Sequence, residues 1–215
     1  MQDVKLAVFD LDGTIANSMP GIYYSYRSTA RDYGFPEPTD DELRAGLSGS
    51  LPANLKRMLN LEDDEVKDAV MTYRDYYVEK GESLAVPFDG IADVIDSVRD
   101  AGIECAVATM KVEEYALLSL YQWDLVKKFK CVHGADMAGQ LHKSDLIRMC
   151  LEDCNTAPKD AVMIGDSMGD LKAARECRVN FVGAAYGFNL SPMDCKRENV
   201  PYAETVSQIA DRVLH

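Results

Sequence analysis

Two carboxylates that stand two residues apart follow directly after an apolar run near the start of the chain. Leu6–Phe9 is uniformly apolar, which favours a short buried strand, and Asp10, Asp12 and Gly13 come next. In a parallel α/β sheet, ligands bind outside the carboxyl ends of the strands. Two acids held there repel each other, and a divalent cation, for oxygen ligands Mg²⁺, relieves the repulsion. A strand that ends in an ordinary Asp-Gly turn is the alternative interpretation.

Further polar groups stand where other predicted elements end or begin. Thr109 ends a second strand pattern, Lys143 opens a helical pattern, and a later strand pattern ends directly before Asp166. Asp170 lies one helical turn beyond Asp166. Because the ends of parallel strands can meet at one crevice of a doubly wound sheet, we expect these side chains to join the first two acids.

Strand and helix patterns alternate along most of the chain, which predicts an α/β fold with a doubly wound, Rossmann-like parallel sheet. Five strands are expected, over residues 4–9, 103–109, 129–133, 161–164 and 179–183. No β pattern appears between residues 15 and 84, where the periodicity is helical and Thr39 with Glu42 predicts a capping box. We therefore expect an α/β core from residues 1–15 and 86–215, with an all-helical unit inserted at residues 16–85.

Size and charge narrow the class of protein. The chain has 215 residues, 47% of them hydrophobic and 27% charged, with a formal net charge of −13. These values predict a soluble globular protein and disfavour nucleic acid or an anionic membrane as partner, since both require a basic face. The charged residues near the start argue against a signal peptide, so a cytoplasmic location is expected.

The six cysteines form no C-x-x-C pair. Cys150 and Cys154 are spaced to share a helix face, but no histidine stands at ligand spacing from them, and the three histidines suggest no metal cluster. The cysteines are therefore predicted to be reduced thiols of the core.

The ordered set of motifs resembles the haloacid dehalogenase-like hydrolase superfamily, in the branch with a helical cap inserted after the first motif. Residues 10–14 (Asp-Leu-Asp-Gly-Thr) and 165–170 (Gly-Asp-Ser-Met-Gly-Asp) correspond to its first and fourth motifs, and Thr109 and Lys143 to the second and third. The resemblance covers essentially the whole chain and is greatest to phosphoglycolate phosphatases and related small-molecule phosphatases.

This resemblance implies a phosphatase with an aspartyl-phosphate intermediate. Asp10 would be the nucleophile, Asp12 the general acid and base, and Lys143 a cation that screens the phosphate. It also implies Mg²⁺ ligation and phosphate binding. The implied metal-binding residues are Asp10, Asp12 through its backbone carbonyl, Asp166 and, in the second shell, Asp170, and the implied phosphate-binding residues are Leu11, Thr109, Met110 and Lys143.

The helical insertion is expected to determine which substrate is accepted. Residues 46–50 match the position of the family's specificity loop, and Ser48 is the candidate substrate-binding residue, although a plain linker between helices is the alternative. Lys111 is left open as a second phosphate-side cation or a surface residue. Met110 stands where the family commonly has a small polar residue, and Ser144 where phosphoglycolate phosphatases usually have proline.

The expected activity is Mg²⁺-dependent hydrolysis of a small phosphorylated metabolite by a monomer or homodimer. The alternatives are a 5′-nucleotidase or pyrophosphatase of the same superfamily and a phosphomutase of the β-phosphoglucomutase kind. A dehalogenase is disfavoured because it lacks the second acid, and a non-catalytic binding module is disfavoured because all of the motif residues are present.

Overall fold

The structure is a computed structural model that describes residues 4–47, 49–137 and 140–215. The chain divides into two compact units. The core unit comprises the chain up to Asn17 together with Pro87–His215, and the helical unit comprises Ser18–Val86. These divisions lie at residues 17/18 and 86/87, against the expected 15/16 and 85/86. No described helix has the length and apolar character needed to cross a bilayer.

The core unit alternates strands and helices. Its strands, with β3 beginning one residue before the unit, are β1 (Leu6–Phe9), β2 (Ala16–Asn17), β3 (Val86–Pro87), β4 (Glu104–Val112), β5 (Val132–Ala135), β6 (Ala161–Gly165), β7 (Asn180–Ala184) and β8 (Tyr202–Ala203). Its α-helices are α5 (Ile91–Asp100), α6 (Glu113–Gln122), α7 (Lys143–Asp153), α8 (Met168–Cys177), α9 (Pro192–Arg197) and α10 (Gln208–Leu214). Short 3₁₀ turns cover Val126–Lys128 and Pro158–Asp160.

Six of these strands form one parallel sheet in the order β5-β4-β1-β6-β7-β8. The chain builds outward from β1 to β4 and β5, then returns to the other side of β1 for β6, β7 and β8. This is the doubly wound arrangement, and the predicted fold class is confirmed. The reversal between β1 and β6 opens a crevice at the carboxyl ends of the strands, where ligands bind in such sheets.

The apolar run of β1 is continuous because helices cover both faces of the sheet. Successive side chains of a strand point to opposite faces. Ala7 and Phe9 pack into the cluster that includes helices α5, α6 and α10, whereas Leu6 and Val8 pack into the cluster that includes α7 and α8. All four are fully buried, so β1 is held in a fixed position from both sides.

The described residues of the helical unit form four α-helices, α1 (Met19–Asp32), α2 (Asp40–Ala45), α3 (Leu51–Met58) and α4 (Val66–Tyr76), followed by a π-helical turn at Tyr77–Gly81 and a 3₁₀ turn at Glu82–Leu84. Tyrosines contribute to its core, where the rings of Tyr26 and Tyr73 lie 4.8 Å apart. The predicted capping box of Thr39 and Glu42 at the start of α2 is confirmed.

Three short strands were not predicted. The two-residue strands β2 and β3 pair with each other, so the expectation that no strand occurs between residues 15 and 84 is wrong at Ala16–Asn17. The edge strand β8 also has only two residues. A two-residue strand contains a single alternation, which is too little for a period of two to be recognised. The third predicted strand lies at Val132–Ala135 rather than at residues 129–133.

Candidate active site

Asp10 lies at the carboxyl end of β1, in the centre of the sheet. Its backbone N–H donates to Ile164 O of the neighbouring strand at 2.9 Å, which continues the ladder by one residue and fixes the start of the side chain. The carboxylate is buried, and its Oδ1 accepts hydrogen bonds from the Leu11 amide at 2.7 Å and lies 2.7 Å from Lys143 Nζ. The carboxylate is thus held by one cation and one backbone donor.

Lys143 is the first residue of α7, and its side chain reaches back toward the ends of the strands. Its Nζ lies 2.7 Å from Asp10 Oδ1 and 2.8 Å from Asp170 Oδ1, and donates to Ala108 O at 3.1 Å. Burial disfavours the charged ammonium, but attraction to the two carboxylates outweighs it and raises the pKa of Lys143 above its usual range. This lysine therefore stays charged and links β1, β4 and α8.

Asp170 and Asp166 are both buried just beyond β6. Asp170 forms a capping box with Ser167, in which Asp170 Oδ2 accepts from the Ser167 hydroxyl at 2.6 Å and from its amide at 3.1 Å. The other oxygen of Asp170 faces Lys143. Asp166 Oδ2 accepts from the Phe188 amide at 2.7 Å. The two acids are thus fixed by the start of α8 and by the loop after β7.

The carboxylates of Asp10, Asp166 and Asp170 have the geometry and chemistry of a divalent-cation site. One oxygen from each lies within 4.8 Å of the others, and all three residues are buried. Burial raises the pKa of Asp10 to about 7 in spite of the attraction of Lys143, and repulsion from Asp170 adds to the rise. Burial with repulsion from Asp10 and Asp170 raises the pKa of Asp166 to about 8. The three buried carboxylates share the single positive charge of Lys143, which leaves the group with an excess of negative charge. The donor set therefore fits a hard cation.

Asp12 is separate from this group of three carboxylates. Its Oδ1 lies 3.3 Å from Lys111 Nζ, and the Lys111 side chain is only 5% exposed whereas that of Asp12 is 27% exposed. Lys111 is therefore a buried cation beside the second acid, which decides against the surface alternative. The ion pair joins the segment after β1, which carries Asp12, to β4, which carries Lys111. It leaves the Asp12 carboxylate partly open to solvent.

The predicted phosphate-binding residues are in different environments. Thr109 is buried near the end of β4, and its hydroxyl accepts from the Lys111 amide at 3.1 Å. Leu11 is buried with its amide bound to Asp10, whereas the Met110 side chain is 49% exposed. Ser48 lies outside the described residues. A backbone amide, rather than the side chain, is the group predicted at Leu11 and Met110.

Two glycines allow the backbone to approach the acids closely. A Cβ on Gly13 would lie 2.3 Å from Asp166 Oδ2, and Gly13 also has a φ of +83°, which glycine adopts without strain. A Cβ on Gly187 would lie 2.2 Å from Gly13 O and 2.5 Å from Asp166 Cβ. The loop at residues 186–189, which includes the amide bound to Asp166, was not predicted as part of the site. The sequence signal that could have indicated this loop is its position after the fifth predicted strand.

A second group of potential metal ligands corrects the interpretation of the cysteines. Cys131, His133 and Cys150 each offer one ligand atom, and these atoms lie within 4.8 Å of one another. The expectations that no histidine stands at ligand spacing from Cys150 and that the histidines suggest no metal cluster are wrong for His133. Spacing along the sequence failed to reveal the group because the packing of α7 on β5 brings Cys150 to residues that precede it by more than fifteen positions.

Comparison with known proteins agrees with the fold. The family model described as haloacid dehalogenase-like hydrolase matches residues 7–184. A phosphoglycolate phosphatase from Vibrio vulnificus is 25% identical over 99% of this chain and 97% of its own length. The tyrosine-protein kinase PtkA from Mycobacterium tuberculosis is 29% identical over 96% of this chain and 72% of its own length.

Solved structures give the same result. A haloacid dehalogenase-like hydrolase from Streptococcus pneumoniae superposes with a TM-score of 0.90 at 26% identity, covering 98% of this chain and 99% of that one. The PtkA structure from Mycobacterium tuberculosis gives a TM-score of 0.83 at 27% identity, with 99% of each chain covered. The matched residues 7–184 contain all three buried acids and Lys143, and the chain belongs to the haloacid dehalogenase-like hydrolase family.

Proposed function

We propose that this protein is a Mg²⁺-dependent phosphatase that hydrolyses a small phosphate monoester through an aspartyl-phosphate on Asp10. The observation that carries the proposal is the meeting of Asp10, Asp166, Asp170 and Lys143 at the switch point of the sheet, with Lys143 Nζ 2.7 Å from Asp10 Oδ1. A nucleophilic carboxylate needs cationic surroundings to approach a phosphate, and this site combines one resident ammonium with a cation-binding set of acids.

In the first half of the reaction, a carboxylate oxygen of Asp10 forms a bond to phosphorus and the bond to the leaving oxygen breaks. Asp12 gives its proton to that leaving oxygen. In the second half, Asp12 takes a proton from water, whose oxygen attacks phosphorus, and the bond to Asp10 breaks to release phosphate. The partial exposure of Asp12 suits this role, because its proton must pass to an alcohol and then return from water.

We expect several groups of the site to neutralise the negative charge of the substrate phosphate. Lys143, the Thr109 hydroxyl and the amides near Leu11 and Met110 would hold the phosphate oxygens. Asp10, Asp166 and the Asp12 carbonyl, with Asp170 in support, would hold Mg²⁺, which would supply Lewis-acid chemistry to the transferred phosphoryl group. Lys143 remains positively charged beside Asp10, because its own charge is stabilised by the two neighbouring carboxylates.

Phosphoglycolate is the first substrate to test, because related proteins from several bacteria bear the name phosphoglycolate phosphatase. The helical unit, residues 18–86, is proposed to select the substrate, with Ser48 as a contact. A nucleoside monophosphate, pyrophosphate or a sugar phosphate handled by a mutase are the alternatives within the same chemistry. Each shares the Asp10 step and differs in what the helical unit admits.

Transfer of the phosphoryl group to tyrosine is a second candidate, supported by the 29% identity to a protein named as a tyrosine kinase. Water and a tyrosine hydroxyl would both have to give a proton to Asp12 when they attack phosphorus, so the preference for hydrolysis rests on the relatives named as phosphatases. ATP with a tyrosine peptide therefore belongs in the assay beside the phosphate monoesters.

The test is phosphate release from a panel of phosphoglycolate, nucleoside monophosphates, sugar phosphates, pyrophosphate and ATP, with Mg²⁺ or with EDTA. We expect release with Mg²⁺, none with EDTA, and none from Asp10→Asn, while the surface control Asp211→Asn retains activity. Hydrolysis by Asp10→Asn at the wild-type rate would eliminate the nucleophile assignment. Phosphotyrosine formation without phosphate release would replace the phosphatase by the kinase.

A further inference from the structure

We propose that Cys131, His133 and Cys150, with Cys154 as a fourth ligand, form a second metal site that binds a soft divalent cation, Zn²⁺ in the first instance. The site is independent of the carboxylate cluster and of the proposed reaction. It lies where the beginning of β5 meets the second half of α7.

The fold explains why these four side chains converge. Cys131 directly precedes β5 and His133 lies in β5. The two residues stand two positions apart in an extended segment, so their side chains point to the same face. Cys150 lies in the last turn of α7 and Cys154 follows directly after the helix, four positions later, so the two lie on the same side of its C-terminal end. Because α7 packs against β4 and β5, that face meets the strand.

The distances suit a tetrahedral site after a small contraction. The ligand atoms of Cys131, His133 and Cys150 lie within 4.8 Å of one another. Around Zn²⁺, with bonds of about 2.0–2.3 Å, such atoms are separated by roughly 3.3–3.8 Å. The thiols of Cys150 and Cys154 both lie close enough to the Cys131 thiol to lower its pKa, which places Cys154 next to the group. Movements of about 1 Å in side chains would therefore complete a Cys₃His set.

The donor atoms select a different metal from the one expected at the acids. Thiolates and imidazoles prefer Zn²⁺ and other soft or borderline cations, whereas Mg²⁺ prefers oxygen. The two clusters can thus hold different ions at the same time. They are also separated in space along α7, since Lys143 begins the helix and Cys150 follows seven residues later, about 10 Å along its axis.

His133 already has the partner that metal-binding histidines usually have. Its Nε2 lies 2.9 Å from Asp153 Oδ2, and a metal held by Nδ1 would leave that contact intact. A carboxylate on the far ring nitrogen fixes the tautomer and orientation of a ligating imidazole and raises its basicity. Asp153 is exposed in the last turn of α7, between the two cysteines of that helix.

The cysteine and histidine group is open to a cation on one side and bounded by the buried core on the other. Cys150 is fully buried and its thiol faces Val107 O at 3.4 Å, whereas Cys131 and Cys154 are partly exposed. A cation can therefore enter from the side of Cys131 and Cys154 and be held against the core by Cys150. Since ligation releases thiol protons and ties β5 to α7, the bound metal would stabilise the folded core.

The test uses the full-length protein, freed of metal under reducing conditions and then titrated with Co²⁺ in excess Mg²⁺. Tetrahedral cobalt with thiolate ligands gives intense visible bands and a near-ultraviolet charge-transfer band, while cobalt bound by oxygens gives only weak absorption. We expect one equivalent of the tetrahedral species, bleached by Zn²⁺ and unaffected by Mg²⁺. The bands should be lost in Cys131→Ser and in His133→Gln, and kept in Cys195→Ser, whose thiol lies in α9.

A second measurement separates ligation from a general loss of structure. Asp153→Asn removes the carboxylate behind His133 without touching a ligand, and should weaken Zn²⁺ binding by about 10–100-fold in competition with a chromophoric chelator. The matched control Glu152→Gln, an adjacent exposed acid, should bind as the wild type does. Weak octahedral bands only, tetrahedral bands that persist in both ligand variants, or equal affinities for Asp153→Asn and Glu152→Gln would overturn the proposal.

Discussion

The buried acids make a prediction about stability that is independent of substrate. In metal-free protein, the free energy of unfolding should fall as the pH rises from about 5 to 6.5. The pKa values of Asp10 and Asp166 are raised from 3.8 to about 7 and about 8, so the native state holds both protons over this range after the unfolded state has lost them. A native state that binds more protons than the unfolded state loses stability with rising pH.

The magnitude follows from proton linkage. Each proton held only by the native state costs about 1.4 kcal/mol per pH unit. Two such protons give a slope of about −2.7 kcal/mol per pH unit, or about 4 kcal/mol between pH 5 and pH 6.5. In Asp10→Asn one of these protons is absent, and the repulsion that raises the pKa of Asp166 is weaker. The slope should therefore shrink by at least about 1.4 kcal/mol per pH unit.

The assay is equilibrium urea unfolding in EDTA, followed by the fluorescence of Trp123. This is the sole tryptophan of the chain and packs against the apolar core of the core unit, so its signal reports that unit. The quantity of interest is the difference in slope between wild type and Asp10→Asn, because other titrating groups contribute equally to both. Asp211→Asn serves as the control for loss of a surface carboxylate.

Adding Mg²⁺ should reverse the trend. The ion stabilises the native state by about 2.7 kcal/mol at a hundred times its dissociation constant, and more at higher pH, where its ligands have lost their protons. Equal slopes for wild type and Asp10→Asn, or stability that rises with pH in EDTA, would refute the reasoning about the buried acids.

Two further predictions concern single side chains. Gly13→Ala should destabilise the protein by about 1–3 kcal/mol more than Gly102→Ala and weaken Mg²⁺ binding, as measured by urea unfolding and metal titration. Both glycines have positive φ, but only the Cβ at Gly13 meets Asp166, so equal effects would contradict the steric argument. Thr39→Ala should lose the capping box with Glu42 and destabilise α2 by about 0.5–2 kcal/mol, and unchanged amide exchange in residues 40–45 would speak against it.

The regular part of the fold was accessible from the sequence because long elements repeat their pattern. Leu6–Phe9 is apolar throughout since both faces of β1 are covered, and this continuous run is typical of a parallel sheet. The capping box at Thr39 and the start of a helix at Lys143 are indicated by local sequence and were also accessible. The two-residue strands were not, because pairing with a neighbour, rather than local pattern, makes them strands.

The arrangement of the site was accessible only where residues follow strands. Asp10 and Asp166 end neighbouring strands, so the sheet order alone brings them together. The burial of Lys111 beside Asp12, and the turn of the 186–189 loop back to Asp166, depend on tertiary packing and have no periodic signature. The same holds for Cys131 and Cys150, which come together through the packing of α7 on β5.

The hydrogen bond from the Phe188 amide to Asp166 has a consequence for the order of events during synthesis. The cluster of acids draws its parts from residue 10 to residue 189, almost the whole length of the chain. As the chain is synthesised from its N-terminus, Asp10 is made first and is followed by Lys143, then by Asp166, and last by the loop that orients Asp166. The charged centre is therefore completed only after residue 189 has been synthesised. Until then its acids are solvated, and the growing chain has no assembled cluster of acids.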